Sequence, residues 1–422
     1  MTRTYRDAKG RPIVAVTGVG IVTALGAATS ESWTALKEGR SGIKQINRFS
    51  TDGLRTTVAA TVEEPSHSCP ALTIDLASRA SEQALAQAAI AGKDRFPGPL
   101  FLATPPAELE WPQRKALYDA GQDSQLPGYR RLVAAARGGD WGQLCSLFQF
   151  ASVAEHLAQR FGTRGVPTSV STACASGATA IQLGVEAIRR GDTQAALCVG
   201  ADASVQIEAL IRFSLLSALS TRNDPAEHAS RPFSKDRDGF VMGEGAGALV
   251  LESYEAAKAR GAEILGLVRG CGEKADSYHR TRSRPDASAI IGAIRNAIDD
   301  AGADIDEIDY INAHGTSTPE NDKMEYVALR SVLEDKLDST PISSSKSMIG
   351  HTLSAAGAIE AVISFLAIRD GILPPTINYK LPDPEILLDV VPNVARARRI
   401  NTVLSNSFGF GGQNAALVLS AP

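Results

Sequence analysis

The chain has 422 residues, of which 44% are hydrophobic and 21% are charged, and its formal net charge is −4. This composition is typical of a globular protein with a well-buried core, and the weak, mixed charge gives no reason to expect nucleic acid or an anionic membrane as a partner. Five cysteines without a CxxC pair predict a reduced protein of the cytoplasm. No apolar run predicts a membrane span.

The N-terminal stretch combines a basic start with an apolar run, which loosely imitates a secretion signal. Gly18, Gly20 and Gly26 interrupt the run, so a strand over residues 13–16, a glycine turn and a following helix explain it better. The first two glycines also resemble a dinucleotide-binding turn, but Thr23 stands where the third glycine of that fingerprint belongs. We therefore expect neither export nor a nucleotide cofactor.

Further along the chain, patterns of buried strands alternate with patterns of amphipathic helices. Strands are predicted at AALCVGAD, GALVLES, IDYINAH and AALVLS, and helices at AIQLGVEAIRR, ASAIIGAIRNAIDDAG and AGAIEAVISFLAIRD. Residues 104–150 break this alternation with a polar segment punctuated by proline and glycine, which we expect to be an insertion of loops and short helices. The alternation itself predicts an α/β fold.

Residues 175–191 and 355–371 repeat each other. Small residues begin both predicted helices, arginine stands in both last turns, and glycine follows both. The repeat predicts a duplicated α/β unit whose two helices approach each other closely at their small residues. Because a charged helix follows the strand GALVLES, we place the boundary between the two units near residue 255.

Cys174 differs from the other cysteines because it lies between TSVSTA and the start of a predicted helix. The positive end of a helix dipole stabilises a thiolate, so we expect this position to lower the pKa of the Cys174 thiol. The alternative role is a small buried core residue, which fits Cys198 in AALCVGAD well. We treat Cys174 as a candidate nucleophile.

Three further candidates follow strand patterns in the second half of the chain. His314 and His351 occupy polar, glycine-rich turns, and Lys346 lies shortly before His351. Each histidine alone would be read as a buried core residue or part of a turn, but with a cysteine and a lysine they form a coherent catalytic set. The segment NSFGFGGQNAALVLS adds a loop that either directs backbone N–H groups at an oxyanion or simply makes a tight turn.

Five segments in this order resemble the β-ketoacyl-acyl carrier protein synthases of the synthase I/II branch: STACASG, FSKDRDGFVMGEGAGALVLE, NAHGTSTPENDKME, SSSKSMIGHTLSAAGAIEAV and SNSFGFGGQNAALVL. The resemblance implies a thiolase-like fold, in which two related halves, residues 12–255 and 256–422, stack as αβαβα layers and two chains pair as a homodimer. It also implies no metal and no bound cofactor, since the phosphopantetheine arm arrives on the acyl carrier protein.

The same resemblance separates this chain from relatives with other sites. Thiolases carry a second cysteine late in the chain, where GHTLSAAG offers Ser354 instead. Synthase III relatives combine cysteine with histidine and asparagine, and chain-length-factor subunits lack the cysteine. We therefore expect an active condensing enzyme of fatty-acid elongation. A ketosynthase of a polyketide or specialised very-long-chain pathway, and a noncatalytic or decarboxylase-only partner subunit, remain as alternatives.

The resemblance assigns the central catalytic roles. Cys174 takes an acyl group from the acyl carrier protein, and the backbone N–H groups of Cys174 and Phe410 hold the oxyanion of the tetrahedral intermediate. Malonyl-acyl carrier protein then loses CO₂, and His314 and His351 donate hydrogen bonds to the enolate oxygen. The carbanion attacks the acyl-enzyme and forms a β-ketoacyl thioester.

Supporting roles follow from the same resemblance. Lys346 is expected to act electrostatically, organising water and a buried ion pair with Glu360, with Asp322 as a further carboxylate neighbour. Thr316 and Thr318 suit hydrogen bonds to the phosphopantetheine arm. All of these roles are carried over, position by position, from the motifs quoted above.

The pocket for the acyl chain is where this sequence departs from the family. Phe408 and Phe410 are expected to gate the pocket, and Gly411 of the same loop is expected to belong to the oxyanion hole or to the gate. In place of a GIGG-like turn, however, the strand GPLFLATPP leads to Pro105, Pro106 and bulky residues, which should reshape the pocket floor. We expect an unusual acyl substrate, with a long or very long chain favoured over a short one, unless Trp111 or Tyr129 of the insertion fills the pocket.

The segment DSYHRTRSRPD places Arg280, Arg282 and Arg284 at alternating positions. Carrier proteins are acidic, so these arginines are expected to form a docking patch that speeds encounter. A solvated loop accounts for the three arginines equally well.

Overall fold

The computed structural model describes residues 5–63, 68–90, 95–121 and 125–422. In this part of the chain the strands are β1 Val14–Thr23, β2 Lys44–Gln45, β3 Val58–Ala59, β4 Leu100–Ala103, β5 Thr168–Val170, β6 Ala195–Asp202, β7 Gly245–Ser253, β8 Gly266–Ala275, β9 Tyr310–Asn312, β10 Pro341–Ser343, β11 Ile372–Leu373, β12 Asp389–Val390, β13 Arg396–Ala397, β14 Thr402–Phe408 and β15 Gln413–Ser420. The α-helices are α1 Thr29–Lys37, α2 Cys69–Gln87, α3 Trp111–Ala120, α4 Gly128–Gly138, α5 Gly142–Leu147, α6 Ser152–Phe161, α7 Ser176–Arg189, α8 Ile207–Leu215, α9 Tyr254–Ala259, α10 Ser288–Ala301, α11 Pro319–Leu333, α12 Lys346–Ile349 and α13 Ala356–Asp370.

Among the described residues, eleven strands form one continuous sheet in the order β12-β10-β9-β14-β15-β8-β1-β7-β6-β4-β5. Ten of these strands, all except β12, form two parts with the same pattern. In β5-β4-β6-β7-β1 the first two pairings are parallel and the last two antiparallel, and β10-β9-β14-β15-β8 repeats this sequence of pairings. The two parts join where β1 pairs with β8. This repeat confirms the predicted duplication.

Helices complete the predicted αβαβα layers. Helix α2 packs on β1, β6 and β7 at one outer face, and α10 packs on β8 and β15 at the other. Helices α7 and α13 contact each other and strands from both halves, so they form the middle layer. The side chains of these two helices and the facing strands make up the central hydrophobic core. This is the thiolase-like arrangement expected from the sequence.

The two central helices meet at glycines. A Cβ atom on Gly177 would lie 2.5 Å from the backbone nitrogen of Ala358, and one on Gly357 would lie 2.6 Å from that of Ala178. Only glycine permits this approach, which confirms the close contact predicted from the small residues. Because each helix begins directly after a functional turn, the contact brings the Cys174 turn and the His351 turn together.

The N-terminal strand corrects one prediction. β1 continues to Thr23, so the glycine turn expected after residue 16 is wrong. A Cβ atom on Gly18 would lie 2.0 Å from the carbonyl oxygen of Ala84, and one on Gly20 would lie 2.1 Å from that of Ala80. The glycines therefore let α2 lie directly on the strand, which runs through them without turning. Residues 1–4, the start of the signal-like pattern, lie outside the described residues.

Most other predicted elements are confirmed. AALCVGAD forms β6, where Cys198 is fully buried as a core residue. The described part of the 104–150 insertion consists of α3, α4, α5 and connecting loops, and its residues 122–124 lie outside the described residues. No helix in the described ranges is long and apolar enough to cross a membrane. The division at residue 255 stays a prediction.

Candidate active site

Cys174 lies on a tight turn between β5 and α7. Ala173 has a φ of +49°, in the left-handed region that is strained for residues other than glycine. The Ser176 side chain holds this turn, because its Oγ accepts the N–H of Thr172 at 2.8 Å and donates to the carbonyl oxygen of Ala173 at 2.6 Å. The predicted strand–turn–helix setting of the cysteine is confirmed, and its first helical turn maintains the strained backbone.

The thiol of Cys174 is protonated in the free enzyme. Burial raises the pKa of Cys174 to about 11, although the Lys346 ammonium and the backbone N–H of Phe410 act in the opposite direction. The carboxylates of Asp202 and Glu360 raise it further. The lowered pKa expected from the helix end is therefore wrong: the residue is only 8% exposed, and lost solvation outweighs the opposing effects of the Lys346 ammonium and the Phe410 N–H.

His314 follows β9, His351 lies between α12 and α13, and the centroids of their rings are 5.3 Å apart in an edge-to-face contact. Burial, together with the positive charge of Lys346, lowers the pKa of both imidazoles well below the usual value, so both are neutral at physiological pH. Nδ1 of His351 accepts the N–H of Leu353 at 3.3 Å, and Nδ1 of His314 lies 3.4 Å from Nζ of Lys346. These contacts assign the proton of each ring to Nε2, which makes both rings hydrogen-bond donors.

Lys346 and Glu360 form the predicted buried ion pair. Lys346 begins α12, Glu360 lies in α13, and Nζ donates to Oε1 of the carboxylate. Among the described residues the other oxygen, Oε2, has no hydrogen-bond partner, and burial raises the pKa of Glu360 to about 7. Because the same ammonium lies beside Nδ1 of His314, the pair also fixes the tautomer of that histidine.

Asp322 does not belong to this pair. Its carboxylate accepts the backbone N–H of Phe233 at 2.7 Å and lies 3.6 Å from Nε of Arg237. The expected role of Asp322 near Lys346 or the substrate is therefore wrong. Its hydrogen bond from the N–H of Phe233 supports the loop that contains that residue.

Two buried carboxylates, Glu325 and Asp202, support the site and are not among the residues predicted from the sequence. Glu325 of α11 accepts the backbone N–H groups of His314 at 2.9 Å and Gly315 at 2.8 Å, and so holds the histidine turn in place. Asp202 ends β6 and accepts the N–H of Ser354 at 3.0 Å. The available signal was a carboxylate at the end of an otherwise apolar strand or on the buried face of a helix.

Two cavities meet at Cys174. The insertion-side cavity, of about 410 Å³, extends from the cysteine to the 104–150 insertion, α6 and α8. The histidine-side cavity, of about 420 Å³, extends from the cysteine past His314 and His351 to the surface. Phe410 lines both cavities, which places it between them as expected for a gate. One cysteine therefore faces two separate binding spaces.

Other predicted residues of the gate and the entrance lie in the histidine-side cavity. Thr316 and Thr318 line it with their hydroxyl oxygens 2.9 Å apart, and Phe408 lies beside them. Gly411 lines it too, but its N–H donates to the carbonyl oxygen of Arg280 at 2.8 Å. The expectation that Gly411 serves the oxyanion hole is therefore wrong, because this donor is already used.

The three arginines divide into two groups. Arg280 and Arg282 line the mouth of the histidine-side cavity with exposed side chains, as the docking prediction requires. Arg284 does not line it, and its backbone N–H donates to Asp276 at 2.7 Å. Only the first two arginines are therefore placed to meet a partner at this opening.

The insertion lines the other cavity, as predicted from the missing glycine turn. Pro105, Pro106 and Phe150 are among its wall residues. Trp111 and Tyr129, the aromatic residues that were considered as fillers of the pocket, are 63% and 79% exposed and lie outside the wall. The alternative that an aromatic residue of the insertion fills the pocket is therefore wrong for these two.

Two stacked α/β halves, with a cysteine at the start of one central helix and two histidines near the start of the other, define a condensing acyltransferase of the thiolase fold. Residues 12–87 and 121–257 match the family model described as β-ketoacyl synthase, N-terminal domain, and residues 265–380 match the β-ketoacyl synthase, C-terminal domain. The chain belongs to the β-ketoacyl synthase family. The match leaves out residues 88–120, which include the first part of the insertion.

Individual relatives agree with this family. The chain is 38% identical to 3-oxoacyl-[acyl-carrier-protein] synthase 2 of Coxiella burnetii over 96% of this chain and 98% of that protein. It is 37% identical to the tetracenomycin polyketide synthase ketoacyl synthase alpha subunit of Streptomyces glaucescens over 97% of both chains. Among solved structures, a β-ketoacyl synthase from Burkholderia phymatum has a TM-score of 0.83 at 34% identity, covering 97% of this chain and 100% of that one. A ketosynthase in complex with its type II acyl-carrier protein and a bound hexaketide has a TM-score of 0.86 at 32% identity, and the match covers 98% of this chain and 100% of that one.

Proposed function

We propose that this enzyme joins an acyl group held on Cys174 to malonyl-acyl carrier protein, with loss of CO₂, to give a β-ketoacyl-acyl carrier protein in fatty-acid chain elongation. The observation that carries the proposal is the meeting of two cavities at Cys174, with two neutral imidazole N–H donors in one of them. The similarity to 3-oxoacyl-[acyl-carrier-protein] synthases 2 supports the fatty-acid pathway.

In the first half of the reaction, Sγ of Cys174 attacks the carbonyl carbon of an acyl thioester on the carrier protein. The backbone N–H groups of Cys174 and Phe410 hold the oxyanion. The bond from carbon to the carrier sulfur breaks, and the released thiol takes up the proton of Cys174. Because the free thiol has a pKa of about 11, this proton leaves during the transfer and not before it. The acyl chain then occupies the insertion-side cavity.

In the second half, the malonyl thioester enters the histidine-side cavity and releases CO₂. The enolate oxygen accepts hydrogen bonds from Nε2 of His314 and of His351, each stabilising the developing charge by about 3 kcal/mol. The enolate carbon attacks the acyl carbonyl on Cys174, a carbon–carbon bond forms, and the carbon–sulfur bond breaks. A proton from solvent restores the thiol.

The remaining assignments concern partners and surroundings. Thr316 and Thr318 contact the phosphopantetheine arm, which arrives on the carrier protein and makes a bound cofactor or metal unnecessary. Arg280 and Arg282 meet the acidic carrier protein at the cavity mouth.

Exposed apolar side chains on the insertion, such as Trp111, support pairing of two chains as a homodimer. The five cysteines are free thiols, which supports a reducing cytoplasmic environment.

A ketosynthase of polyketide assembly is the second candidate, and the similarity to the tetracenomycin ketoacyl synthase alpha subunit favours it. The catalytic steps are the same in both. The two candidates differ in the acyl group, since the insertion-side cavity would hold a long saturated chain in one and an oxygenated chain in the other. A partner subunit without activity is the third reading, and the complete site around Cys174 argues against it.

The test is a condensation assay with malonyl-acyl carrier protein and a series of acyl-acyl carrier proteins that differ in chain length. The β-ketoacyl product and CO₂ are both quantified. We expect the wild type to form both in equal amounts and Cys174→Ala to form no β-ketoacyl product. Product formation by the alanine variant at the wild-type rate, or none by the wild type with any acyl chain, would overturn the proposal.

A further inference from the structure

Asp202 links the end of β6 to the turn that carries His351. The residue is fully buried, and each of its carboxylate oxygens accepts one backbone N–H. Oδ1 accepts that of Ser204 at 2.9 Å, and Oδ2 accepts that of Ser354 at 3.0 Å. Ser354 lies three residues after His351, in the short 3₁₀ helix that precedes α13. The contact therefore joins a strand of the first half of the chain to a catalytic turn of the second.

Leu353, the residue directly before Ser354, has a strained backbone. Its φ is +45°, in the left-handed region that residues other than glycine rarely adopt. In this conformation its N–H donates to Nδ1 of His351 at 3.3 Å. A strained residue keeps such a conformation only where its surroundings hold it, and the next N–H along the chain is held by Asp202. The hydrogen bond that fixes the tautomer of His351 therefore depends on this carboxylate.

Other contacts hold the backbone of His351 and leave its ring free. Its N–H donates to the carbonyl oxygen of Val241 at 2.7 Å, and its carbonyl oxygen accepts the N–H of Gly243 at 2.9 Å. Among the described residues, the Leu353 N–H is the one hydrogen-bond donor to the imidazole. We propose that Asp202 is a positioning residue for His351. By holding the Leu353 turn, its carboxylate keeps the imidazole proton on Nε2, and the inference rests on the proposed function because the enolate step needs a donor there.

The kinetic test is Asp202→Ala, which removes both acceptors. Acylated enzyme is mixed with malonyl-acyl carrier protein in a single turnover, and the β-ketoacyl product should form about tenfold to a hundredfold more slowly than in the wild type, since a misplaced donor stabilises the enolate less. Asp202→Asn keeps one acceptor and should recover part of this loss.

A second measurement separates positioning from general damage to the site. Alkylation of Cys174 by iodoacetamide, followed by peptide mass spectrometry, should not slow in Asp202→Ala. The Asp202 carboxylate adds to burial in raising the pKa of the Cys174 thiol, so its removal favours the thiolate. Equal slowing of alkylation and condensation would mean that Asp202 only maintains the fold, and would overturn the inference.

Nitrogen-15 NMR of histidine-labelled enzyme reports the tautomer directly, with the signals of His351 assigned by their loss in His351→Ala. The proton should be on Nε2 in the wild type, and a population with the proton on Nδ1 should appear in Asp202→Ala. A proton on Nδ1 in the wild type would overturn the inference without any variant of Asp202. An unchanged tautomer in Asp202→Ala would overturn it as well.

Asp309→Ala is the matched control. Asp309 also accepts two backbone N–H groups, those of Asn401 at 2.7 Å and Thr402 at 3.1 Å, but it lines neither cavity. This variant should keep the wild-type rates and tautomer, and the same slow condensation in it would contradict a specific role of Asp202. Absence of β-ketoacyl product from the wild type with every acyl chain would overturn the proposed function, whereas the tautomer measurement tests the link from Asp202 to His351 independently of the reaction.

Discussion

The histidine-side cavity and the insertion-side cavity share Cys174, but their walls are built from different parts of the chain. The histidine side consists of short turns that follow strands of the second half, and its donors are held by buried charges such as Lys346 and Glu325. The insertion side consists of residues 104–150 together with α6 and α8, and the family model leaves part of this region unmatched. Under the proposed function, this difference means that the chemistry and the choice of acyl chain would be controlled by separate walls, which could be changed separately.

The largest expected effect is confined to the histidine side. Replacing His314 or His351 with alanine removes one of two hydrogen-bond donors to the enolate, so condensation should fall by about 10²–10³-fold. Acylation of Cys174 should continue, because neither imidazole takes part in that step. Product formation and acyl-enzyme formation are measured on the same samples. Equal losses in both steps would show that the two cavities are not separate in function.

On the histidine side, the buried Lys346–Glu360 pair should make the free energy of unfolding depend on pH. Because burial raises the pKa of Glu360 from 4.5 to about 7, the folded state holds a proton between these pH values that the unfolded state has lost. The stability contributed by this group is present below pH 4.5 and is lost as the pH rises through 7, by at most about 3 kcal/mol.

Glu360→Gln keeps an oxygen for Nζ of Lys346 but removes the titration. The free energy of unfolding should therefore fall less between pH 5 and pH 8 in this variant than in the wild type, as measured by urea denaturation at both pH values. The same fall in both proteins would mean that Glu360 is already ionised at pH 5.

Narrowing the insertion side should change selectivity without changing the chemistry. Phe150→Trp adds volume to a wall residue of the acyl cavity, so kcat/KM for the longest accepted acyl chain should fall by about tenfold while shorter chains are less affected. Ser146→Ala is the control, since that side chain is exposed on the insertion and lies outside the wall. A uniform loss over all chain lengths would contradict the role of the insertion as the wall that selects the chain.

The smallest effect is expected at the mouth of the histidine-side cavity. Replacing Arg280 and Arg282 together with alanine should raise KM for carrier-bound substrate about threefold to tenfold at low salt, and leave KM for a small thioester mimic unchanged. Arg284→Ala should have less effect, because Arg284 does not line the cavity. Equal effects of the two variants would show that the patch acts through its general charge and not through docking.

The part of the site that could be predicted lies where residue type alone limits the chemistry. The setting of Cys174 at a helix start and of His314 and His351 in glycine-rich turns made these residues and Lys346 candidates, and the resemblance of the five segments to β-ketoacyl synthases gave them their roles. The pKa of the thiol was not predictable, since it depends on burial by residues from several elements. The partners of the carboxylates were not predictable either, because they are backbone N–H groups brought close only by the fold.

The fold was predictable to a similar degree. The repeat of the two central helices indicated the duplication, since the same small residues, arginine and glycine occur at both. The course of β1 could not be predicted. A sequence does not show whether Gly18 and Gly20 form a turn or allow a helix to pack directly on the strand. The structure shows their role, because a Cβ atom on either glycine would lie about 2 Å from a backbone carbonyl oxygen of α2. Only glycine therefore lets the helix pack this close to the strand.

The central claim is that Cys174 alone carries the acyl group between the two cavities. The most direct measurement is peptide mapping by mass spectrometry after incubation with an acyl-acyl carrier protein in the absence of malonyl substrate. The account predicts one acyl group per chain, on the peptide containing Cys174, in the wild type and in both histidine variants, and none in Cys174→Ala. An acyl group on Cys69 or any other residue, or acylation of the alanine variant, would contradict it.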